Sequence, residues 1–303
     1  MTETTQNRNQ ALCRSASARF HSGYTHPAGC ALGVALTLAA NLSWAADGIG
    51  IGVELTYISD NNVSRGTGAD ALSDNILAVS ANYTWRLPVA ERTRLVVQPS
   101  LGAESYLDYE GLSNIFAGLS FQYQWRPGSG FQTPTLTALA KVVVEEYKSG
   151  LRDGVRYSYG VSTRSLLTDR IGLYGALTRD TRTANHSVFD TATTGVAVNL
   201  DYTVMRGSTV YLGLGYRQGD VVSSVRPVPP YYGGGVVVDD GFPGTGLEVI
   251  RVDGSAQLYT LGFNYMLSER HALDVSGRLI RASTDSGVDY DSRQLALSYL
   301  GRF

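Results

Sequence analysis

The chain has 303 residues, 25 Lys and Arg against 27 Asp and Glu, a formal net charge of −2, two Cys, 34 Gly and 19 Tyr. That balance lacks the basic excess of a nucleic-acid-binding protein, and a 43% hydrophobic fraction excludes a disordered chain. The charged fraction, 17%, is below the about one quarter usual in soluble domains, and Tyr far outnumbers Phe and Trp, which asks for positions with one apolar and one wet side.

In chain order, residues 28–40 (AGCALGVALTLAA) are the one continuously apolar run, too short for the about 20 residues of a membrane-spanning helix. Arg8, Arg14 and Arg19 precede it with Glu3 as the only acid, and Ser43-Trp44-Ala45 follows as a small-x-small site. This predicts a secretory signal peptide over 1–45, cleaved after Ala45; an Arg- and Ser-rich mitochondrial presequence is the competing reading. Cys13 and Cys30 both fall in this leader, and the apolar run follows Cys30, the reverse of a lipoprotein acylation box. The expected mature chain, 46–303, is a single domain without disulfides or cofactors, held by packing and hydrogen bonding.

From Gly48 onward the hydrophobic pattern has period two. In the first segment Ile49, Ile51, Val53, Leu55 and Tyr57 share one face and Gly50, Gly52, Glu54 and Thr56 the other. In the second, Leu77, Val79, Ala81, Tyr83 and Trp85 oppose Ser80, Asn82, Thr84 and Arg86; in the third, Leu95, Val97, Leu101 and Ala103 oppose Gln98, Ser100, Gly102 and Glu104. The fourth sets Ile115, Leu119, Phe121, Tyr123 and Trp125 against Gly118, Ser120, Gln122 and Gln124. Eight further segments follow, from 136–144 to 295–303, with Thr163 and Ser165 interrupting the apolar face of the sixth. Short links (Thr168-Asp169, Met205 to Ser208, Ser268 to Arg270) alternate with longer polar ones (60–74, 180–189, 219–246). Twelve such strands predict an all-β fold, a transmembrane antiparallel up-and-down β-barrel with both ends on the periplasmic, short-turn side. Tyr83, Trp85, Tyr123, Trp125, Tyr202, Tyr265 and Tyr299 fall near the turn side, and Tyr57, Tyr157, Tyr159 and Tyr216 near the loop side. Two aromatic girdles therefore account for the tyrosine excess.

The last strand alternates Leu295, Leu297, Tyr299 and ends on Phe303, with Gly301 departing from the apolar pattern. In this feature the chain resembles Gram-negative outer-membrane β-barrel proteins. The resemblance implies Sec export to the bacterial outer membrane, contact with its lipid, and recognition by periplasmic chaperones and the barrel-assembly machinery, with Phe303, Tyr299 and Leu297 as the assembly signal. A second similarity covers 57–65 (YISDNNVSR), which looks like the Asp-Asn-containing end of the first strand in β-barrel porins, although an Asp-Asn pair is also ordinary turn chemistry.

If the apolar faces meet lipid, Glu54, Arg86, Glu104, Lys141, Glu145, Arg156, Arg164, Asp201, Arg217, Asp274 and Arg278 face a lumen, where a charge escapes the about 2–4 kcal/mol cost of Arg or Lys at the bilayer midplane. Inside, they form either a bonded network that holds the barrel in shape or the lining of a solute path. Twelve strands about 4.8 Å apart and tilted by about 40° give a backbone radius of about 12 Å, leaving a bore for small solutes or one extended sugar chain. Gly52, Gly102, Gly118 and Gly213 on the inner phase would widen it or relieve bending. In the long loop, Tyr231 and Tyr232 are candidates for stacking on sugar rings, and Asp239-Asp240 for calcium or for a solvated acidic turn.

Twelve-stranded barrels host hydrolases, channels and autotransporter translocators, so the fold alone does not choose among them. His186 and His271, the histidines outside the leader, are expected on opposite sides of the membrane and cannot form one hydrolytic site. The reading is a non-enzymatic, passive porin-like channel for small or saccharide solutes. Its rivals are a non-conducting structural or adhesion barrel acting through its loops and, behind that, an outer-membrane hydrolase.

Overall fold

The computed structural model describes residues 50–226 and 236–303; the leader, its cleavage site and both cysteines lie outside the described residues. Thirteen strands are formed among them: β1 (Gly50–Asp60), β2 (Asp74–Ala90), β3 (Thr93–Tyr106), β4 (Asn114–Trp125), β5 (Thr135–Tyr147), β6 (Gly154–Leu166), β7 (Ile171–Ala184), β8 (Thr191–Met205), β9 (Ser208–Val225), β10 (Val237–Val238), β11 (Glu248–Met266), β12 (His271–Thr284) and β13 (Tyr290–Arg302). Strands β1 to β9 pair in chain order, β9 pairs with β11, and β13 returns to β1, all antiparallel. The two-residue β10 rides on the outer end of β11, so the wall itself is a closed barrel of twelve strands in meander order.

Closure fixes the geometry. Following backbone partners round the wall from Gly50 through Thr84, Ser120, Lys141, Ser158, Asp180, Thr193, Gly219 and Gly254 climbs by roughly 16 residues per circuit, which for this strand number requires a tilt of about 45° and a radius of about 12 Å. The period-two pattern then decides which residues face out. Leu55, Leu101, Ile115, Val161 and Leu261 are more than half exposed, whereas Glu54, Glu104, Asn114, Ser162 and Asn264 on the opposite phase are buried. A closed belt of exposed aliphatic side chains, edged by Trp85, Trp125, Tyr202 and Tyr265 at one end and Tyr57, Tyr157 and Tyr216 at the other, is the surface of a barrel immersed in lipid.

The girdles do not account for every tyrosine. Tyr106, Tyr147, Tyr174, Tyr211 and Tyr290 are buried inside the barrel or its outer end, where each ring fills volume that a short polar side chain would leave empty. The inner glycines have a related role, distinct from widening a bore. A Cβ on Gly262 would sit inside the ring of Tyr211, and one on Gly102 would meet the ring of Phe116, so these glycines are flat seats for neighbouring aromatic rings.

The strands also outrun their expected ends. β2 continues through Pro88 to leave only Glu91 and Arg92 as a turn, β7 reaches Ala184, and β9 and β11 stay paired from Ser208↔Tyr265 to Val225↔Glu248. Polar side chains do not stop a ladder whose backbone groups still find partners, so 180–184 and 248–258, expected in loops or at a strand's margin, belong to the wall.

Candidate functional site

The barrel interior is built from the inward phase of each strand, odd-numbered in β5, β8 and β9 and even-numbered in the other wall strands. Strand β5 contributes Glu145, β6 Arg156 and β7 Arg182; the two arginines are register partners, and Glu145, diagonal to them, receives Arg156 at 2.7 Å and Arg182 at 3.3 Å. Lower in the barrel, Arg164 on β6 reaches across β7 to Asp201 on β8 at 2.8 Å, with both side chains buried. The carboxylate of Glu104 accepts from Asn114 at 3.1 Å, Asp274 from the Tyr211 hydroxyl at 2.8 Å, and Glu54 from Thr56 at 3.3 Å. Arg278 lies 3.5 Å from the Gln294 amide oxygen, while Lys141, Arg217 and Arg86 are half-buried on the same inner phase, opposite Ser120, Gly195 and Val96. The eleven sequence candidates thus all stand on the inner wall, and many of them bond to one another or to inner amides and hydroxyls. Arg182 is absent from the sequence candidates because 180–189 reads as a loop. Its signal was there, since Thr178, Asp180 and Arg182 continue the phase of Gly172 and Tyr174.

The long-loop end is closed by a second structure. The hairpin of β9 and β11 rises past its neighbours and its described tip folds over the opening. Val221, Val225, Ile250 and Val252 pack with Ile280, Ala282, Val288 and Tyr290; Phe242 and Leu247 pack with Ile58, Val63, Ile76, Tyr106 and Leu112; Val222 and Val249 pack with Val188 and Phe189. These apolar clusters draw on every long loop, so the mouth is a small hydrophobic core although its links read as polar in the sequence.

At its centre is Arg152, the last residue of the single-turn 3-10 helix Gly150–Arg152 and fully buried. Its guanidinium donates to Asp239 at 2.6 Å and Asp240 at 3.0 Å, both from the β9–β11 tip, and lies 4.4 Å from the ring centre of Phe189 and 5.9 Å from that of Phe242. Asp239 also receives Ser224 Oγ at 2.5 Å and the Gly241 amide at 2.9 Å. A Cβ at Gly241 would come within 2.6 Å of Arg152, which is why the tip approaches with a glycine. The Asp239-Asp240 pair, a calcium or solvated-turn candidate in the sequence, is therefore the counterion of an arginine. Among the described residues no group of three His, Cys, Asp or Glu side chains is placed to hold a metal.

The 57–65 segment makes a second tie. Asp60 and Arg65 pair at 2.8 Å with both side chains buried, and Asp60 accepts in addition from Asn62 N, Ser292 Oγ and Gln294 Nε2 at 2.8–2.9 Å. Asn62 donates to the carbonyls of Gly66 and Asp291, both at 2.9 Å, and Ser223 Oγ of the hairpin reaches the Arg65 carbonyl at 2.6 Å. The Asp-Asn motif is a structured corner that joins the β1–β2 loop to the cap.

His186, at the long-loop end, accepts from the Val188 amide at 3.3 Å and caps the short helix Ser187–Phe189. His271, at the turn end, faces the Tyr299 hydroxyl at 2.7 Å, so the two imidazoles occupy opposite ends. Leu297 and Phe303 are exposed on the outer surface, and Phe303 exchanges backbone hydrogen bonds with Ile51 that complete closure. Tyr231 and Tyr232 lie outside the described residues.

A lipid-facing belt around a charged interior, with short turns at one end and a packed cap at the other, defines a transmembrane β-barrel with the architecture of outer-membrane channels and porins. No family model matches the chain, and neither does any curated protein. Among solved structures it is similar to an outer-membrane channel from Pseudomonas putida F1, with a TM-score of 0.59 at 13% identity over 86% of this chain and 97% of that one. The NanC porin gives 0.45 at 7% identity over 83% and 98%, and the KdgM porin in complex with disordered oligogalacturonate 0.44 at 10% identity over 83% and 99%. At these identities the likeness is one of fold.

Proposed function

We propose that the protein is a porin-like channel of the bacterial outer membrane for small solutes, closed in this conformation by the cap at its outer mouth. The observation that carries this reading is the inner wall. A wall about 12 Å in radius is lined along its length by charges, amides and hydroxyls, with Val96, Leu139, Val143 and the rings of Tyr174 and Tyr211 set among them. A polar lining in a low-dielectric surround offers a permeating ion or hydroxylated solute replacements for its hydration shell. The cap meets the β1–β2, β3–β4, β5–β6 and β7–β8 loops through side-chain packing and a few bonds such as that from the Ser224 amide to the Ser64 carbonyl, so it can be displaced without breaking the wall ladders.

Single-extended-sugar permeation belongs to this reading, as do Sec export, cleavage after Ala45 and capture by the barrel-assembly machinery through the Phe303 strand. The rival reading, a structural barrel acting through its outer surface, draws support from the density of the cap. Planar-bilayer recording separates the two. Purified protein should give small, intermittent unit currents, and removal of 236–246 should make them larger and steady. A barrel that is folded yet silent in both forms overturns the channel.

A further inference from the structure

One row of the inner wall crosses four strands without a shift in register: Lys141 on β5 faces Ser158 on β6, Ser158 faces Asp180 on β7, and Asp180 faces Thr193 on β8. At about 4.8 Å between strands, the backbones of Lys141 and Asp180 stand about 10 Å apart with the serine between them. The Lys141 ammonium is attracted by Glu145 and Asp180 and repelled by Arg156, yet it closes no hydrogen bond or ion pair among the described residues. Asp180 takes a hydrogen bond from Ser158 and is attracted from further off by Arg217, Arg156 and Lys141. Its Oδ1 is nevertheless buried without a donor among the described residues, and so is the neighbouring Thr193 Oγ1 without a partner; the two residues are 5% and 3% exposed. Other inner acids are better served, since Glu145 is held between Arg156 and Arg182, and Asp201 by Arg164.

An open acceptor on a buried carboxylate is costly. The row asks for a ligand with two different ends: Lys141 needs an acceptor, Asp180 Oδ1 needs a donor, and the Thr193 hydroxyl can play either part. A simple anion would serve Lys141 and leave Asp180 open, and a simple cation would do the reverse. A solute carrying both signs a few atoms apart serves both. We propose that the row from Lys141 to Thr193 is a binding site for small zwitterions of the α-amino-acid type. The solute carboxylate accepts from Lys141, and its ammonium donates to Asp180 Oδ1 and Thr193 Oγ1, charge-assisted bonds that fix its orientation in the lumen. The assignment deepens the channel reading by naming a solute class and rests on that reading for transport, but the binding itself can be measured without any conduction.

Lys141 and Lys148 are the only lysines in the sequence, so occupancy can be read on one amine with the other as internal reference; Lys148 is exposed at the long-loop end, 2.6 Å from Glu110. Full-length folded protein in nonionic detergent is amidinated with methyl acetimidate at constant ionic strength, and the rate at each lysine is followed by peptide mass spectrometry. The probe is N,N-dimethylglycine, a zwitterion whose tertiary ammonium keeps one N–H donor and does not consume the reagent. At about ten times its dissociation constant it should slow Lys141 roughly tenfold and leave Lys148 unchanged. Glycine betaine, which lacks the N–H, and propionate, which lacks the cation, should each need roughly tenfold higher concentrations for the same protection. Asp180→Asn and Thr193→Val should weaken protection by dimethylglycine, and Asp180→Glu should keep part of it. An unchanged Lys141 rate, a Lys141 that never reacts while Lys148 does, or full protection in Asp180→Asn overturns the site. Propionate or glucose protecting as well as dimethylglycine overturns the zwitterion assignment. Protection without bilayer currents leaves the site standing and removes the channel; currents without protection do the reverse.

Discussion

Arg152→Met is the sharpest test of the cap. Methionine keeps most of the side chain's volume while removing the charge that Asp239 and Asp240 share. Both Arg152 and Asp239 are fully buried, and taking one partner from a buried ion pair costs about 3–5 kcal/mol. The Ser224 hydroxyl and Gly241 amide continue to serve Asp239, which argues for the lower figure, about 3 kcal/mol, even with the loss of the contact to the Phe189 ring. The strain has an outlet, because Asp239 regains water if the tip lifts, and lifting breaks no wall pair below Val225↔Glu248. At about 1.4 kcal/mol per tenfold, the open population should rise by roughly two orders of magnitude. Hydrogen exchange reads this directly: the amides of Ser224, bonded to the Ser64 carbonyl, and of Asp239, bonded to that of Leu247, should exchange about 100-fold faster, with β4 and β5 amides unchanged. Adding Asp239→Asn should restore much of the protection by removing the orphaned charge. Unchanged exchange at Ser224 and Asp239 in Arg152→Met, or acceleration spread evenly over wall and cap, would refute the idea of a cap held by this pair.

Three further outcomes follow from the same geometry. Glu145→Gln leaves Arg156 and Arg182 facing each other in one row, so the barrel should lose about 3 kcal/mol of stability and its currents should turn more anion-selective, measured by thermal melting and by reversal potential in a salt gradient. Gly262→Leu drives a side chain into the Tyr211 ring and should lower the yield of folded barrel, seen as loss of the heat-modifiable electrophoretic band; Tyr211→Ala in the same chain should recover it. Phe303→Ala retains the backbone bonds to Ile51, so refolding in detergent should proceed, while the amount assembled in the outer membrane of cells should fall severalfold, quantified by membrane fractionation.

The alternation of apolar and polar residues is a local property, and it was enough to establish strand, inner and outer phase, barrel class and strand number. Leu55 beside Glu54, or Phe121 beside Gln122, announces its own side of the wall because neighbouring side chains in a strand must point opposite ways. The link lengths added the orientation of the ends, since a tight turn and a long loop cannot be confused. The tertiary structure alone decided which inner charges meet. Glu145 finds Arg182 only through the register of three strands, and Arg152 finds Asp239 across 87 residues of chain because the β9–β11 hairpin bends over the opening. The same bend turned a loop that reads as polar, 219–246, into part of a packed core: Val221, Val225 and Phe242 lie within it, yet they are buried. Alternation says which way a side chain points but not what lies there. What lies there is fixed by closure and tilt, which bring together residues from opposite sides of the barrel that no window along the chain contains.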